Sequence, residues 1–282
     1  MSSWSQTSYP PRKKFDNDPL VCITNQAGFC SQFNNYLYSI ISARRNKKTL
    51  YLYDKASPIS LSYNFIQETF LIPPGVESID VLPQSSKDLA NRAEIRKVLS
   101  VTPEQEIRNE AARTFKLSPK MSETIQREIS KYSFPKFDMG VHIRSGDKIT
   151  TGEMKLIPLT QYLKEIRNRK AALKKEVLNV FVMTDNQDLL NKLKGELDPS
   201  IHIFSLVSAS PCMNGHDQGT FNLSSKEVKE EAYIQFLTEL TIMQKIPALV
   251  CSLSSNVGRF LYTTCDSINN FKSLDTPRYT PI

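Results

Sequence analysis

The sequence predicts an α/β protein in which two Rossmann-like domains face each other across a cleft. Three observations carry that expectation. Apolar runs of strand length alternate with segments of helical periodicity, the pattern of β-α-β units and parallel sheets. The alternation occurs twice, from Pro19 to Tyr53 and again from Phe137 to Leu253. Polar clusters recur at the carboxyl ends of the strand-like runs, the edge where open α/β sheets hold ligands.

Residues 1–17 are polar and contain Pro, which suits a flexible arm. Order is expected from the run Pro19 to Thr24, followed by a polar turn at 25–28. A helix then carries Phe33, Leu37, Ile40 and Ile41 on one face, and Thr49 to Tyr53 resumes as a strand. Further on, a strand is expected near Ile79–Leu82, with helices over 87–99 and 104–115. After Pro135 the spacing predicts strand 137–144, helix 158–173, strand 177–184, helix 187–197 and strand 201–206. A loop over 208–225 leads to helix 226–243, strand 248–253 and a final helix from Ser254. The expected domains are residues 18–130 and 131–282, since 282 residues can bury two cores.

Composition narrows the classes of function. The chain is 40% hydrophobic and 23% charged, as an ordinary soluble protein is. Lys and Arg outnumber Asp and Glu by 36 to 29, a net charge of +7 that suits a nucleotide diphosphate as well as a nucleic acid. The Lys164–Lys175 run reads as the solvated face of a helix, and no basic face with interleaved aromatics suggests a nucleic-acid partner. Met1 to Asp18 has no apolar core of signal-peptide type and no later segment approaches the length of a membrane span, so a cytoplasmic protein is expected. Five cysteines, an odd number without metal-type spacing, read as buried or reduced thiols.

Several common sites are absent from the sequence: it has no phosphate-binding P-loop, no Gly-x-Gly-x-x-Gly and no Gly-x-Ser-x-Gly. His142, His202 and His216 are too scattered for a zinc site, and the Asp16-Asn17-Asp18 triplet precedes the first strand, so no metal is expected. Four clusters instead fall at strand ends where one ligand could touch them all. They are Gln26-Ala27-Gly28-Phe29, Arg144-Ser145-Gly146-Asp147-Lys148, Thr184-Asp185 and Ser254-Ser255-Asn256. Arg144 offers a planar cation suited to phosphate. The last cluster opens a helix, where unpaired N–H groups suit an anion and Arg259 follows one turn later; plain capping by Ser254 and Ser255 is the alternative.

Glu239 shares a helix face with Val228, Ala232, Phe236, Leu240 and Met243. A carboxylate on an apolar stripe must be paired or hydrogen-bonded. Either it accepts two N–H donors, as guanine would offer, or it forms a structural ion pair.

Taken in order, His142-Ile143-Arg144-Ser145-Gly146-Asp147-Lys148, Thr184-Asp185-Asn186, Glu239, the run from Val250 to Arg259, and Phe271-Lys272-Ser273-Leu274-Asp275 resemble the α-1,6-fucosyltransferase family. That family includes the core N-glycan and Nod-factor enzymes. The likeness covers about residues 137–275, with a weaker extension over Gly28 to Gln32. It implies a GT-B-like fold and inverting transfer of fucose from GDP-fucose to a glycan hydroxyl, without a metal or another cofactor. Carried over by position, His142 and Glu239 would recognise guanine, Arg144 would hold the β-phosphate, and Ser254, Ser255 and Asn256 would close around the pyrophosphate. Asp185 would support the nucleotide pocket, and Gly28 and Phe29 would approach the donor from the other domain. The general base would be Glu153, with one residue inserted in its loop and Lys148 beside it, and Asp147 is the next candidate.

The chain departs from the family in two informative places. Ser145 stands where a second arginine is usual, which removes a phosphate or sugar contact, and Glu239 stands where the family has Asp. The absence of a stem or anchor would suit a viral or bacterial enzyme. Two alternatives stay open: the same fold using another nucleotide sugar, for example a UDP-pentose such as UDP-xylose, or an inactive nucleotide-sugar- or glycan-binding protein.

Overall fold

A computed structural model describes residues 20–24, 27–55, 65–80, 82, 92–145, 156–207 and 217–281. Its first half runs β1 (Leu20–Ile23), α1 (Phe29–Arg45), β2 (Leu50–Tyr53), α2 (Phe65–Thr69), β3 (Val76–Ser78), α3 (Arg92–Ser100), α4 (Glu104–Thr114) and α5 (Pro119–Ser130). Strands β1, β2 and β3 form a parallel sheet in that order. Helix α1 packs between this sheet and helices α3 and α4, with Phe33, Tyr36, Leu37, Ile40 and Ile41 all buried.

The second half runs β4 (Met139–Ile143), α6 (Leu159–Leu173), β5 (Leu178–Thr184), α7 (Gln187–Gly195), β6 (Ile201–Phe204), α8 (Gln218–Leu223), α9 (Lys226–Gln244), β7 (Leu249–Cys251), α10 (Asn256–Thr264) and β8 (Phe271–Ser273). These strands form a parallel sheet in the order β6-β5-β4-β7-β8. Along β4 the side chains alternate between two cores, as the pleat requires. Met139, Val141 and Ile143 pack with Tyr162, Leu163 and Ile166 of α6. Gly140 and His142 therefore face the other way, toward α9.

Gly140 shows how closely that helix approaches. A Cβ on it would lie 2.7 Å from the Met243 sulfur and 2.7 Å from Leu249 Cδ2. An aromatic core joins the two halves: Phe33 of α1 stacks on Phe65 at 5.4 Å and meets Phe260 of α10 at 5.5 Å. The α/β architecture with two facing Rossmann-like units is thus the one expected from sequence.

Several boundaries differ from expectation. The strand expected near 79–82 is β3, three residues earlier, although the Ile79 N–H continues its ladder to the Leu52 carbonyl. The helix expected over 87–99 is described from Arg92, and α10 starts at Asn256 because Ser254 and Ser255 are extended into the preceding turn. Helix α5 has no counterpart among the expected elements, yet it carries a recognisable start. Ser118 accepts the Met121 N–H at 3.3 Å and Pro119 occupies the first turn. Helix α8, in the expected 208–225 loop, is likewise capped by Asp217, which accepts the Thr220 N–H at 2.7 Å. The stripe assigned to α9 also needs correction. Val228, Ala232 and Phe236 are only half-buried, while every residue from Leu237 to Met243 is buried, so Glu239 is enclosed because this part of the helix is surrounded on all sides.

Candidate active site

From β4 the chain moves to β5 and β6 on one side, then crosses back to place β7 on the other side of β4. The strand order therefore reverses between β4 and β7. In an open parallel sheet this leaves a crevice at the carboxyl ends, because the connections leaving the two strands diverge. Arg144 follows β4 and the segment from Ser252 to Asn256 follows β7, so both line that crevice. Asp185, after β5, lies beside them.

Arg144 is fixed by Asp185. Its guanidinium lies 2.6 Å from Asp185 Oδ2, and the Ser145 N–H donates to Asp185 Oδ1 at 3.0 Å. Both side chains are largely buried, 17% and 12% exposed, so the pair is screened less than a surface ion pair. A guanidinium carries five N–H donors in a planar fork, a geometry that suits phosphate.

Beneath this pair lie His142 and Glu239. Burial pushes the His142 imidazole down to about 4, the Arg144 charge pushes in the same direction, and Asp185 opposes them. The ring is therefore neutral, and its Nδ1 has no hydrogen-bond partner among the described residues. Burial raises the Glu239 carboxyl to about 8, the negative Asp185 adds to the rise, and a hydrogen bond from the Leu206 backbone works against it. Its Oε1 also lacks a partner among the described residues. The two side chains converge for a geometric reason. Met243 touches Gly140, Glu239 precedes Met243 by about 6 Å of helix rise, and His142 follows Gly140 by about 6.6 Å of strand. A crossover helix runs antiparallel to its strands, so both steps lead to the carboxyl edge. Two buried groups whose polar atoms have no partner among the described residues suit a polar ligand at that edge.

Across the crevice, Ser255 caps α10 by accepting the Val257 N–H at 3.3 Å, which bears out the capping alternative for this residue. Ser254 is engaged differently. Its N–H donates to Asp275 Oδ2 at 3.1 Å, and its hydroxyl also bonds that carboxylate. Asn256 is tied by both ends: Asn34 Nδ2 donates to its carbonyl at 3.0 Å and Arg259 donates to its Oδ1 at 3.0 Å. Gly258 allows the helix to start this close, since a Cβ there would fall 1.9 Å from the Ser252 carbonyl oxygen.

The structure also brings the start of α1 to the second half. Gly28 precedes that helix, and a Cβ on it would meet Gln218 of α8 at 3.3 Å. The Phe29 ring is enclosed by Phe65, Phe221, Tyr233 and Phe236, with centroids 4.8–5.9 Å away, so it serves the packing between α1, α8 and α9. Asp147, Lys148 and Glu153 lie outside the described residues, as do Asp16, Asp18 and Gln26. Asn34 and Asp275 were not assigned roles from sequence. Asp275 belongs to the motif 271–275, but its partners in the β7–α10 turn lie 21 and 22 residues away, and Asn34 bonds 222 residues away.

No family model and no curated protein matches the sequence. Solved structures do match. The fucosyltransferase NodZ from Bradyrhizobium superposes with a TM-score of 0.57 at 16% identity, over 88% of this chain and 94% of that one. The fold is that of the fucosyltransferases. NodZ α-1,6-fucosyltransferase soaked with GDP-fucose gives the same TM-score. POFUT1 in complex with GDP matches at 0.52 and 12% identity, over 92% of this chain and 99% of that one. Arabidopsis thaliana FUT1, also with GDP, matches at 0.52 and 13%, over 90% and 70%. The fucosyltransferase fold is the GT-B-like arrangement expected from the motif order. No helix among the described residues is long and apolar enough to cross a membrane.

Proposed function

We propose that this chain is an inverting, metal-independent glycosyltransferase that moves fucose from GDP-fucose to a glycan hydroxyl. The observation that carries the reading is the crevice between β4 and β7. There a held arginine follows β4, a helix N-terminus follows the neighbouring β7, and two buried groups beneath have polar atoms without a partner among the described residues. Solved proteins of the same fold bind GDP or GDP-fucose, which supports the choice of donor.

In this reading the guanine enters toward Glu239 and His142. The Glu239 carboxylate accepts two guanine N–H donors, and the neutral imidazole supplies a further polar contact. Arg144 and the first N–H groups of α10 meet the diphosphate and neutralise charge that grows as it leaves. The acceptor hydroxyl oxygen attacks the anomeric carbon from the face opposite the diphosphate. A carbon–oxygen bond forms as the bond to phosphate breaks, and GDP departs with that electron pair. The hydroxyl proton passes to Glu153, the base that the resemblance implies, with Asp147 as the substitute base. Attack from the opposite face inverts the anomeric configuration. Positive charge comes from Arg144, Lys148 and backbone N–H groups, so a divalent ion has no required part.

A thermal-shift panel of GDP-fucose and UDP-sugars, followed by GDP release with a glycan acceptor in excess chelator, tests this reading. Stabilisation by GDP-fucose and chelator-resistant turnover are expected. Preferential stabilisation by a UDP-pentose would move the donor assignment, and binding without turnover would mark an inactive nucleotide-sugar binder.

A further inference from the structure

The motif ending at Asp275 has no task in the chemistry above, yet its geometry is specific. Strand β8 pairs in parallel with β7, and the Leu274 N–H continues that ladder to the Cys251 carbonyl at 2.9 Å. Asp275 thus leaves the sheet at the same carboxyl edge as Ser252. Its Oδ1 accepts from the Leu253 N–H at 2.9 Å, the Ser273 hydroxyl at 2.8 Å and the Thr276 N–H at 2.7 Å. Its Oδ2 accepts from the Ser254 N–H at 3.1 Å and from the Ser254 hydroxyl. One carboxylate therefore binds the turn that joins β7 to α10.

We propose that Asp275 is a positioning residue for the diphosphate: by fixing turn 252–255 it sets the N-terminus of α10 opposite Arg144. Two physical arguments support it. The Leu253 and Ser254 N–H groups belong to the connection rather than to β7 or α10, and Asp275 accepts both, while the Ser273 hydroxyl that also accepts from Leu253 at 3.3 Å is itself bonded to Asp275. The position of that turn also passes directly to the helix, because Gly258 lies against the Ser252 carbonyl with no room for a Cβ.

The same geometry revises the role of Ser254. Its N–H and hydroxyl already serve a carboxylate, and a phosphate placed on them would meet a like charge. Burial alone would raise the Asp275 carboxyl, but the hydrogen bonds from Ser254, Ser273 and Thr276 together hold it below its ordinary value, so it is ionised at neutral pH. The diphosphate is directed to Arg144 and the first turn of α10 instead.

This inference rests on the nucleotide-diphosphate reading, and the experiment separates the two. GDP and guanosine affinities are measured by calorimetry for wild type, Asp275→Asn and Asp275→Ala, with thermal unfolding alongside. Asp275→Asn keeps the shape but loses the charge and one acceptor, and GDP affinity should fall about tenfold while guanosine affinity stays within about twofold. Asp275→Ala should lose more in the same direction. If wild type binds GDP and both variants bind it equally well, the positioning role is wrong and the donor reading stands. An equal loss for GDP and guanosine would also overturn it, since a general structural role affects both ligands. If wild type binds no nucleoside diphosphate, the donor reading falls and takes this inference with it.

Discussion

Arg144 and Asp185 meet at 2.6 Å just beyond the carboxyl ends of neighbouring parallel strands, one residue past the register pair Ile143 and Thr184. The sheet therefore aims a cation into the crevice and a carboxylate holds it there. Asp185 is also the charge felt by both buried groups below, raising the His142 and Glu239 values together. Phosphate contact and base recognition are thus coupled through one side chain.

Arg144→Ala should weaken GDP binding by about 1.5–3 kcal/mol, the range of a charge-assisted hydrogen bond in a semi-enclosed site. The fold should persist, because the Ser145 N–H still bonds Asp185. Calorimetry on the variant checks this, and unchanged affinity would remove Arg144 from the phosphate site.

Glu239 predicts a pH dependence with opposite signs for stability and binding. Its folded value of about 8 lies above the ordinary 4.5, so the protonated form favours the folded state. That stabilising contribution is complete below about pH 4.5 and is lost as pH rises toward 8. Guanine needs the ionised form, so GDP affinity should climb by up to about tenfold per pH unit until about pH 8 and then level off. Glu239→Gln should flatten both trends. Calorimetry and thermal unfolding across pH 5.5–8.5 would show it (a range of about three units).

Gly258→Ala should destabilise the protein by about 1–3 kcal/mol and weaken GDP binding as well, because its Cβ would enter the Ser252 carbonyl and push the start of α10 outward. Denaturant unfolding together with GDP titration checks both effects. Wild-type stability would show that the helix start can yield without cost.

Glu153→Gln should lower turnover by about two to four orders of magnitude with donor affinity nearly unchanged, as loss of a general base does. Steady-state kinetics with a glycan acceptor measures the split. Full activity would transfer the role to Asp147.

Much of this arrangement is legible in the sequence, and the exceptions have physical causes. Strand β4 stands out because Val141 and Ile143 alternate with polar residues that leave the sheet at its functional edge. The start of α5 is equally explicit in Ser118-Pro119, and Met121, Ile125 and Ile129 follow at helical spacing, but the stripe is one residue wide and only Ile125 of that helix is fully buried. Strand β8 is three residues long at the sheet edge, too short to show a period. Glu239 is buried as its apolar neighbours suggest, but through enclosure of α9 by what packs around it rather than through its own stripe. The tie between Asp275 and Ser254 depends on strand order, which local pattern does not encode.

If this crevice reads a guanine nucleotide through Glu239, one calorimetric comparison shows it. GDP and UDP are titrated into wild type and into Glu239→Ala at a single pH near 8. Wild type should bind GDP more tightly than UDP, and the substitution should cost GDP about 1–3 kcal/mol while leaving UDP little changed, because only guanine loses its N–H partner. Tighter binding of UDP by wild type, or an equal loss of both nucleotides in the variant, would contradict the account.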